Sequence, residues 1–290
     1  MLNKRLQRIG FCFSLPTILF FVCFISIPII FTLFLTFVSW QGYDLAQIKL
    51  VGIKNFIDVF TDKIMLKSFI NTLIFVIFTT FFLNVLGFFG AMVIDQKIPG
   101  TKFLKNAVFL PVLLSPIIIG IMWSRMLDAF GILNKFLQAI HLTELPILFL
   151  GSSKLAIYTV IAATIWQFAG YDMLLYYAGI QGIPGELLEA ARIDGANEKG
   201  VIFKIIIPVL SPVITITLLL NIIGGFKVFD IVYVMTKGGP NHSSDVLATY
   251  LFQQAFRLNN MGFASVIAFC IVILSLIAAI VRLNITKENF

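Results

Sequence analysis

A chain of 290 residues that is 59% hydrophobic and only 12% charged carries about half the charge of an ordinary soluble domain, which is ~25% charged. In water such a composition, with a mean hydropathy of +1.00, would expose broad apolar patches and aggregate, so a soluble enzyme or carrier is excluded and lipid is the expected solvent. The net charge of +7 points to topology rather than polyanions, because lysine and arginine at membrane boundaries set orientation; nucleic acid is not an expected partner.

A helix crossing the hydrocarbon core needs about 20 apolar residues. Six stretches qualify, near 11–38, 68–94, 106–127, 155–178, 205–226 and 262–281. The expected fold is all-α: a polytopic membrane protein with six transmembrane helices forming one domain over residues 1–290. Alternating strands of ~10 residues, the mark of a membrane barrel, are missing.

The first span follows Lys4, Arg5 and Arg8. Its apolar run exceeds the roughly 7–15 residues of a signal peptide, and no small-residue cleavage site closes it; it reads as a helix that Pro16 and Pro28 kink. Cys12, Cys23 and Cys270 all lie in apolar spans and read as small packing residues, not metal ligands or disulfides. Loops near 39–67, 128–154 and 236–261 are expected outside, and those near 95–105 and 179–204 inside. With both termini inside, the cytoplasm receives Lys4, Arg5, Arg8, Lys97, Lys102, Lys105, Arg192, Lys199, Lys204, Arg282 and Lys287, 11 of the 21 basic residues. The count is nearly even, but the inner segments are shorter and their basic density is higher.

The inner loop at 179–204 has its own logic. Pro184 suits a first helical turn, and Glu186 and Glu189 then sit near the positive end of the helix dipole. Leu187, Ala190 and Ala191 recur on one face, and Gly195 is a natural stop. A short amphipathic helix results, either lying at the headgroup interface or offering its small face and the Glu189 carboxylate to a partner. Beyond it, Pro208 and Pro212 should bend the fifth span, as a static kink or as a joint that carries motion into the membrane.

Polar residues inside spans are costly and mark function. Gln167, Tyr171 and Asp172 fall on the fourth span; Asn221, Gly224, Gly225 and Lys227 fall on or just past the fifth. Gln167 and Tyr171 are four apart and share a face. The apolar run continues past Lys227 to Met235, so a break near the paired glycines is expected. A sugar needs hydrogen-bonding groups and an aromatic face, which this set supplies, although buried amides also serve to tie helices together. Asp172 should pair with a basic or hydroxylated group. Lys227 either snorkels outward or faces the pathway, where it would favour an anionic sugar or glycerol phosphate; Arg125 is similarly ambiguous.

Glu189-Ala190-Ala191, with Asp194, Gly195, Ile205 and Pro208 in register, resembles the EAA loop of the permease subunits of ABC importers, with Ile207 in place of the usual Leu and Gly200-Val201 where bulkier or polar residues are common. Val51-Gly52-Ile53-Lys54-Asn55-Phe56, Asn71-Thr72-Leu73, Gly131-Ile132-Leu133-Asn134, Phe229-Asp230-Ile231-Val232-Tyr233 and Thr236-Lys237-Gly238-Gly239-Pro240 resemble, in order, segments of the maltose-type, multiple-sugar importers within that family. The resemblance implies a type I importer permease in the inner or plasma membrane. It implies a second related permease, two ATPase subunits that hold ATP and magnesium, and an extracytoplasmic solute-binding protein. ATPase coupling would fall to Glu189, Ala190, Ala191, Asp194, Gly195 and Pro208, and the substrate pathway to Gln167, Tyr171, Asn221, Gly224 and Gly225.

The chain has no G-x-x-x-x-G-K-[ST] loop, so no cofactor is expected on it and ATP must be handled by another polypeptide. An ion-coupled carrier would be expected to show inverted repeats, and none is visible. An intramembrane hydrolase is disfavoured because His141 and His242 fall in outer loops with no H-E-x-x-H or G-x-S-x-G motif.

Overall fold

The structure, a computed structural model, describes residues 4–96 and 98–287. Lys97 and the side chains of Lys4, Arg5, Arg8, Cys12 and Lys287 lie outside the described residues. In chain order the helices are α1 (Lys4–Phe21), α2 (Ile27–Leu35), α3 (Lys54–Thr61), α4 (Lys63–Asp95), α5 (Thr101–Phe109), α6 (Pro116–Met126), α7 (Ile132–Ala139) and α8 (Ala156–Gln181). They continue as α9 (Gly185–Ile193), α10 (Glu198–Val201), α11 (Ile207–Val209), α12 (Ser211–Phe226), α13 (Asp230–Thr236), α14 (Leu247–Phe252) and α15 (Met261–Lys287). The only strands among the described residues are β1 (Val38–Ser39) and β2 (Lys49–Leu50), an antiparallel pair that joins Val38 to Leu50.

Six crossings were expected, the first kinked at its prolines and the fifth bent. Among the described residues three helices are long and apolar enough, Phe13–Leu35, Lys63–Asp95 and Met261–Asn284, and two bent pairs bring the number to five. The stretch expected as the fourth span is α8, whose 26 residues reach ~39 Å at 1.5 Å per residue; Gln167, Tyr171 and Asp172 make it too polar to count on composition.

The third expected span is not one rod. Thr101–Leu113 meets Pro116–Met126 at 101°. A residue before proline is pushed towards extended geometry, and Ser115, ahead of Pro116, has ψ 139° while its hydroxyl accepts from the Ile117 amide at 3.3 Å. The fifth expected span breaks at Leu210, where Glu198–Val209 meets Ser211–Phe226 at 68°. Pro208 and Pro212 flank that break, as the bend expected from them requires.

The first span remains helical through both prolines. Here, and again before Pro208, a π-helical turn precedes an Ile-Pro step: the amides of Ile27 and Ile207 reach back five residues to Val22 and Ile202. A proline ring crowds the carbonyl four residues behind it, and the wider turn takes up that crowding without ending the helix.

By packing, the chain divides into two compact units, residues up to Asp62 with Leu251–Cys270, and Lys63–Tyr250 with the segment from Ile271 onward; from sequence alone it reads as one domain. In the first unit the buried Asn55 donates to the carbonyls of Thr36 and Val38, both at 2.9 Å. In the second, two apolar clusters form, one among α4, α6, α8 and α13 and one among α4, α8, α10 and the start of α12. One joins Phe75, Ile119, Val160 and Val232; the other joins Met173, Tyr176, Ile180, Val201, Ile206 and Leu210.

Candidate functional site

Two places gather the residues singled out from sequence. The first is α9 and its flanks. Pro184 is the residue before the helix rather than its first position, and its carbonyl accepts from the Leu187 amide at 3.1 Å. Asp194 closes α9, and Gly195 follows at φ +86°, the left-handed stop that glycine adopts without strain. The face expected to carry Leu187, Ala190 and Ala191 is divided. Leu188 and Ala191 turn inward and pack, with Ala196, against Tyr176, Ile180, Val201 and Leu210. Leu187, Ala190 and Ile193 are exposed, Ile193 at 86%, beside exposed Glu186 and Glu189.

This helix therefore has a fixed side and a free side. The fixed side continues through α10. Asn197 caps that helix by accepting from the Gly200 amide at 2.7 Å, and Val201 is fully buried. Those contacts explain the departure at Gly200 and Val201: the former lies against its own cap, and the latter fills the core. An exposed Arg192–Glu198 pair at 3.3 Å spans the turn. Pro208 follows the π-helical turn in α11 and leads directly into the 68° break.

The second place is a cavity of about 470 Å³ between α4, α8 and α12. Tyr171, Asn221, Gly224 and Gly225 line it, together with Phe168, Phe229, Thr79, Thr164, Lys227 and Asp230. A Cβ on Gly224 would meet nothing within 4 Å, so its absence leaves open volume; one on Gly225 would come within 2.9 Å of Val76, so that glycine lets α12 approach α4 closely. The helix runs through both glycines and ends at Phe226, after which the chain re-forms as α13.

Gln167 does not reach this cavity. It is fully buried, and its Nε2 donates to the Leu114 carbonyl at 3.0 Å, one of the groups freed by the break before Pro116. A backbone carbonyl exposed inside a membrane protein must find a donor, so Gln167 serves the broken helix. Asp172 pairs with an amide rather than a basic or hydroxyl group: Asn221 Nδ2 donates to its Oδ2 at 2.5 Å. Asn221 thus joins two helices and lines the cavity at once. One turn further, Tyr176 donates to Asn84 Oδ1 at 2.7 Å, and Thr217 does so at 2.8 Å. Lys227 is exposed and contributes to the lining, and Asp230 does too, so the lining carries both signs and no excess positive charge. Arg125 is exposed in the last turn of α6 and is not part of the lining.

Several motif residues turn out to build loops. Asn71 donates to the carbonyls of Ser243 and Asp245 at 3.1 and 2.9 Å, and Thr72 accepts from the Leu247 amide at 2.9 Å. The loop they hold is tied within itself: Ser244 donates to Thr236 and to the Gly239 carbonyl, and Asp245 contacts His242 and Thr249. Asn134 is buried and holds Asp128 and Ile147 through three hydrogen bonds of 2.8–3.0 Å. The residues missed from sequence, Phe168, Thr79 and Thr164 in the lining and Asn84 and Thr217 in the polar junction, are ordinary span residues whose one available signal was polarity or aromaticity within an apolar run; Phe229 and Asp230 were visible as motif residues but not as lining.

Residues 9–287 match the family model described as binding-protein-dependent transport system inner membrane component. The chain is 32% identical over 292 residues to the probable ABC transporter permease protein YurN of Bacillus subtilis (strain 168), covering 100% of this chain and 99% of that one. It is 28% identical to the probable starch degradation products transport system permease protein AmyD of Thermoanaerobacterium thermosulfurigenes, across 96% of this chain and 93% of that one. In fold it matches a chain of a bacterial alginate ABC transporter in complex with an alginate pentasaccharide-bound periplasmic protein, with a TM-score of 0.86 and 22% identity over 99% of this chain and 97% of that one.

Proposed function

We propose, starting from the fact that this chain belongs to the family of inner-membrane components of binding-protein-dependent transport systems and is a permease subunit of an ABC importer, that it moves an oligosaccharide or related sugar through the cavity under the force of separate ATPases. One observation carries the reading: α9 is free on one side and fixed on the other. Its outward stripe of Leu187, Ala190 and Ile193, flanked by Glu186 and Glu189, has no partner within the described residues. Its inward residues Leu188 and Ala191 are embedded with Val201 and Leu210. A load on the stripe passes through α10 and the π turn to the break at Leu210, and so to α12, which carries Asn221 and Gly224.

In this mechanism two ATPases, each with ATP and magnesium, grip one such helix on this chain and one on a second, related permease. The loop at 179–204 and both termini face the cytoplasm, and a solute-binding protein delivers sugar from outside. ATP-driven closure shifts the population of cavity states, by no more than the difference in binding of nucleotide and loaded binding protein to those states. Within the cavity Tyr171, Phe168 and Phe229 offer apolar faces, while Asn221, Thr79 and Thr164 offer hydrogen-bonding groups. The balanced Lys227 and Asp230 favour a neutral sugar over an acidic one. Uptake into vesicles holding the chain with its co-encoded permease, ATPases and binding protein tests the reading. ATP-dependent accumulation of sugar is expected, and accumulation of equal size without the ATPases would overturn it.

A further inference from the structure

A second recess, separate from the cavity, holds about 600 Å³ where Ile94 of α4 and residues 98–100 meet α5 and α8. Ile94, Ile98 and Pro99 form its apolar part; Gly100, Thr101, Lys102, Lys105 and Tyr177 form its polar part. Lys105 is half-buried, with its ammonium 4.6 Å from the centre of the Tyr177 ring. A cation–π contact holds a lysine in place without neutralising it. Neither lysine has a carboxylate within 4 Å among the described residues, and the nearby Asp95 accepts from Gln181. The amides of Lys102 and Phe103 lie in the first turn of α5, before an intrahelical acceptor is available to them. On the same nine-residue helix, Phe103 is 79% and Leu104 41% exposed, an apolar edge beside a basic one.

We propose that this recess binds a phosphate group, carried there by an anionic phospholipid. The Lys105 ammonium, held by Tyr177, the exposed Lys102 ammonium and the Tyr177 hydroxyl supply the donors a phosphate needs. Exposed Phe103 and Leu104 supply contact for acyl chains that a free anion would not use. Basic pockets between membrane helices are suited to anionic headgroups, and the bound lipid would fix α5 against α8, steadying the 101° bend that α5 makes with α6. The chemistry is the same in either leaflet; the orientation proposed above puts it in the inner one.

Native mass spectrometry of the full-length chain in detergent, with phosphatidylglycerol or phosphatidylcholine added, tests this, alongside calorimetric titration with inorganic phosphate. The wild type should retain one phosphatidylglycerol, at least tenfold more than Lys102→Gln/Lys105→Gln, and should not retain phosphatidylcholine to the same degree. Lys135→Gln, an exposed lysine on α7, should behave as wild type, and unchanged gel-filtration profiles would show that the variants fold. Equal retention by wild type and double variant, or equal retention of the two lipids, overturns the proposal. Saturable binding of inorganic phosphate with no retained lipid overturns the lipid as carrier.

Discussion

The α9 helix and the cavity walls of α8 and α12 both stand out as small or polar residues in an apolar chain, but they meet opposite demands. On α9 the notable groups face out: Leu187, Ala190, Ile193 and Glu189 are exposed and have no internal work. On α8 and α12 most are used inside. Gln167 serves the Leu114 carbonyl, Asp172 the Asn221 amide, and Tyr176 and Thr217 share Asn84. A polar group in a span must be satisfied whether or not it meets a substrate, so polarity alone cannot separate the two roles. An exposed apolar stripe costs free energy until something covers it, and it therefore points more directly to a partner.

The contrast can be broken at either end. The largest effect should come from Glu189→Lys combined with Gly195→Pro, which reverses the offered charge and forbids the left-handed stop. Docking of an interface hot spot falls on the order of 30-fold when it is lost, and uptake should drop accordingly while membrane levels of the chain stay normal; radiolabelled sugar uptake beside an immunoblot checks both. Normal uptake would remove Glu189 and Gly195 from the coupling.

Next, Gly224→Leu places a side chain into open cavity space and should lower uptake by about tenfold, the effect of ~1.4 kcal/mol. Assembly with partner subunits, read by co-purification, should be unchanged. Tyr171→Ala should reduce uptake by about three- to tenfold, since an aromatic contact is worth ~0.5–1.5 kcal/mol. Its thermal stability should match wild type, because Tyr171 is 40% exposed and lines the cavity. Loss of assembly by Tyr171→Ala would make it structural. The smallest effect on transport belongs to Gln167→Ala. It should destabilise the chain by roughly 0.6–2 kcal/mol, the scale of one interhelical hydrogen bond in a membrane protein, with uptake per assembled transporter preserved. A selective loss of uptake at full stability would return Gln167 to the pathway.

Much of this was legible in the sequence. Composition gave the membrane, and proline position gave the bend at Leu210, because the missing amide and the ring act locally. The break in the third expected span was not anticipated, although Pro111 and Pro116 are visible: the two prolines bound a 101° turn whose exposed Leu114 carbonyl takes its donor from Gln167, 53 residues away in the chain. Periodicity set Ala190 and Ala191 on one face, but neighbours on the helix surface differ by about 100°, enough for one to meet the core and the other to stay free. Tyr171 and Gln167, four apart, diverge for a similar reason: one face of α8 meets both a cavity and a buried bend. The motif residues Asn55, Asn71 and Asn134 are readable as signatures, and their work, tying loop carbonyls to helix ends, depends on contacts that only the fold reveals.

The most direct test is a photo-crosslinker placed at Ile193, the most exposed point of the stripe, in cells expressing the chain with its neighbours. Capture of a P-loop-bearing subunit, lost when the crosslinker is moved to the inward Leu188, is the predicted result. Capture of lipid alone from Ile193, or equal capture from both positions, would contradict the claim that α9 is where the motor takes hold.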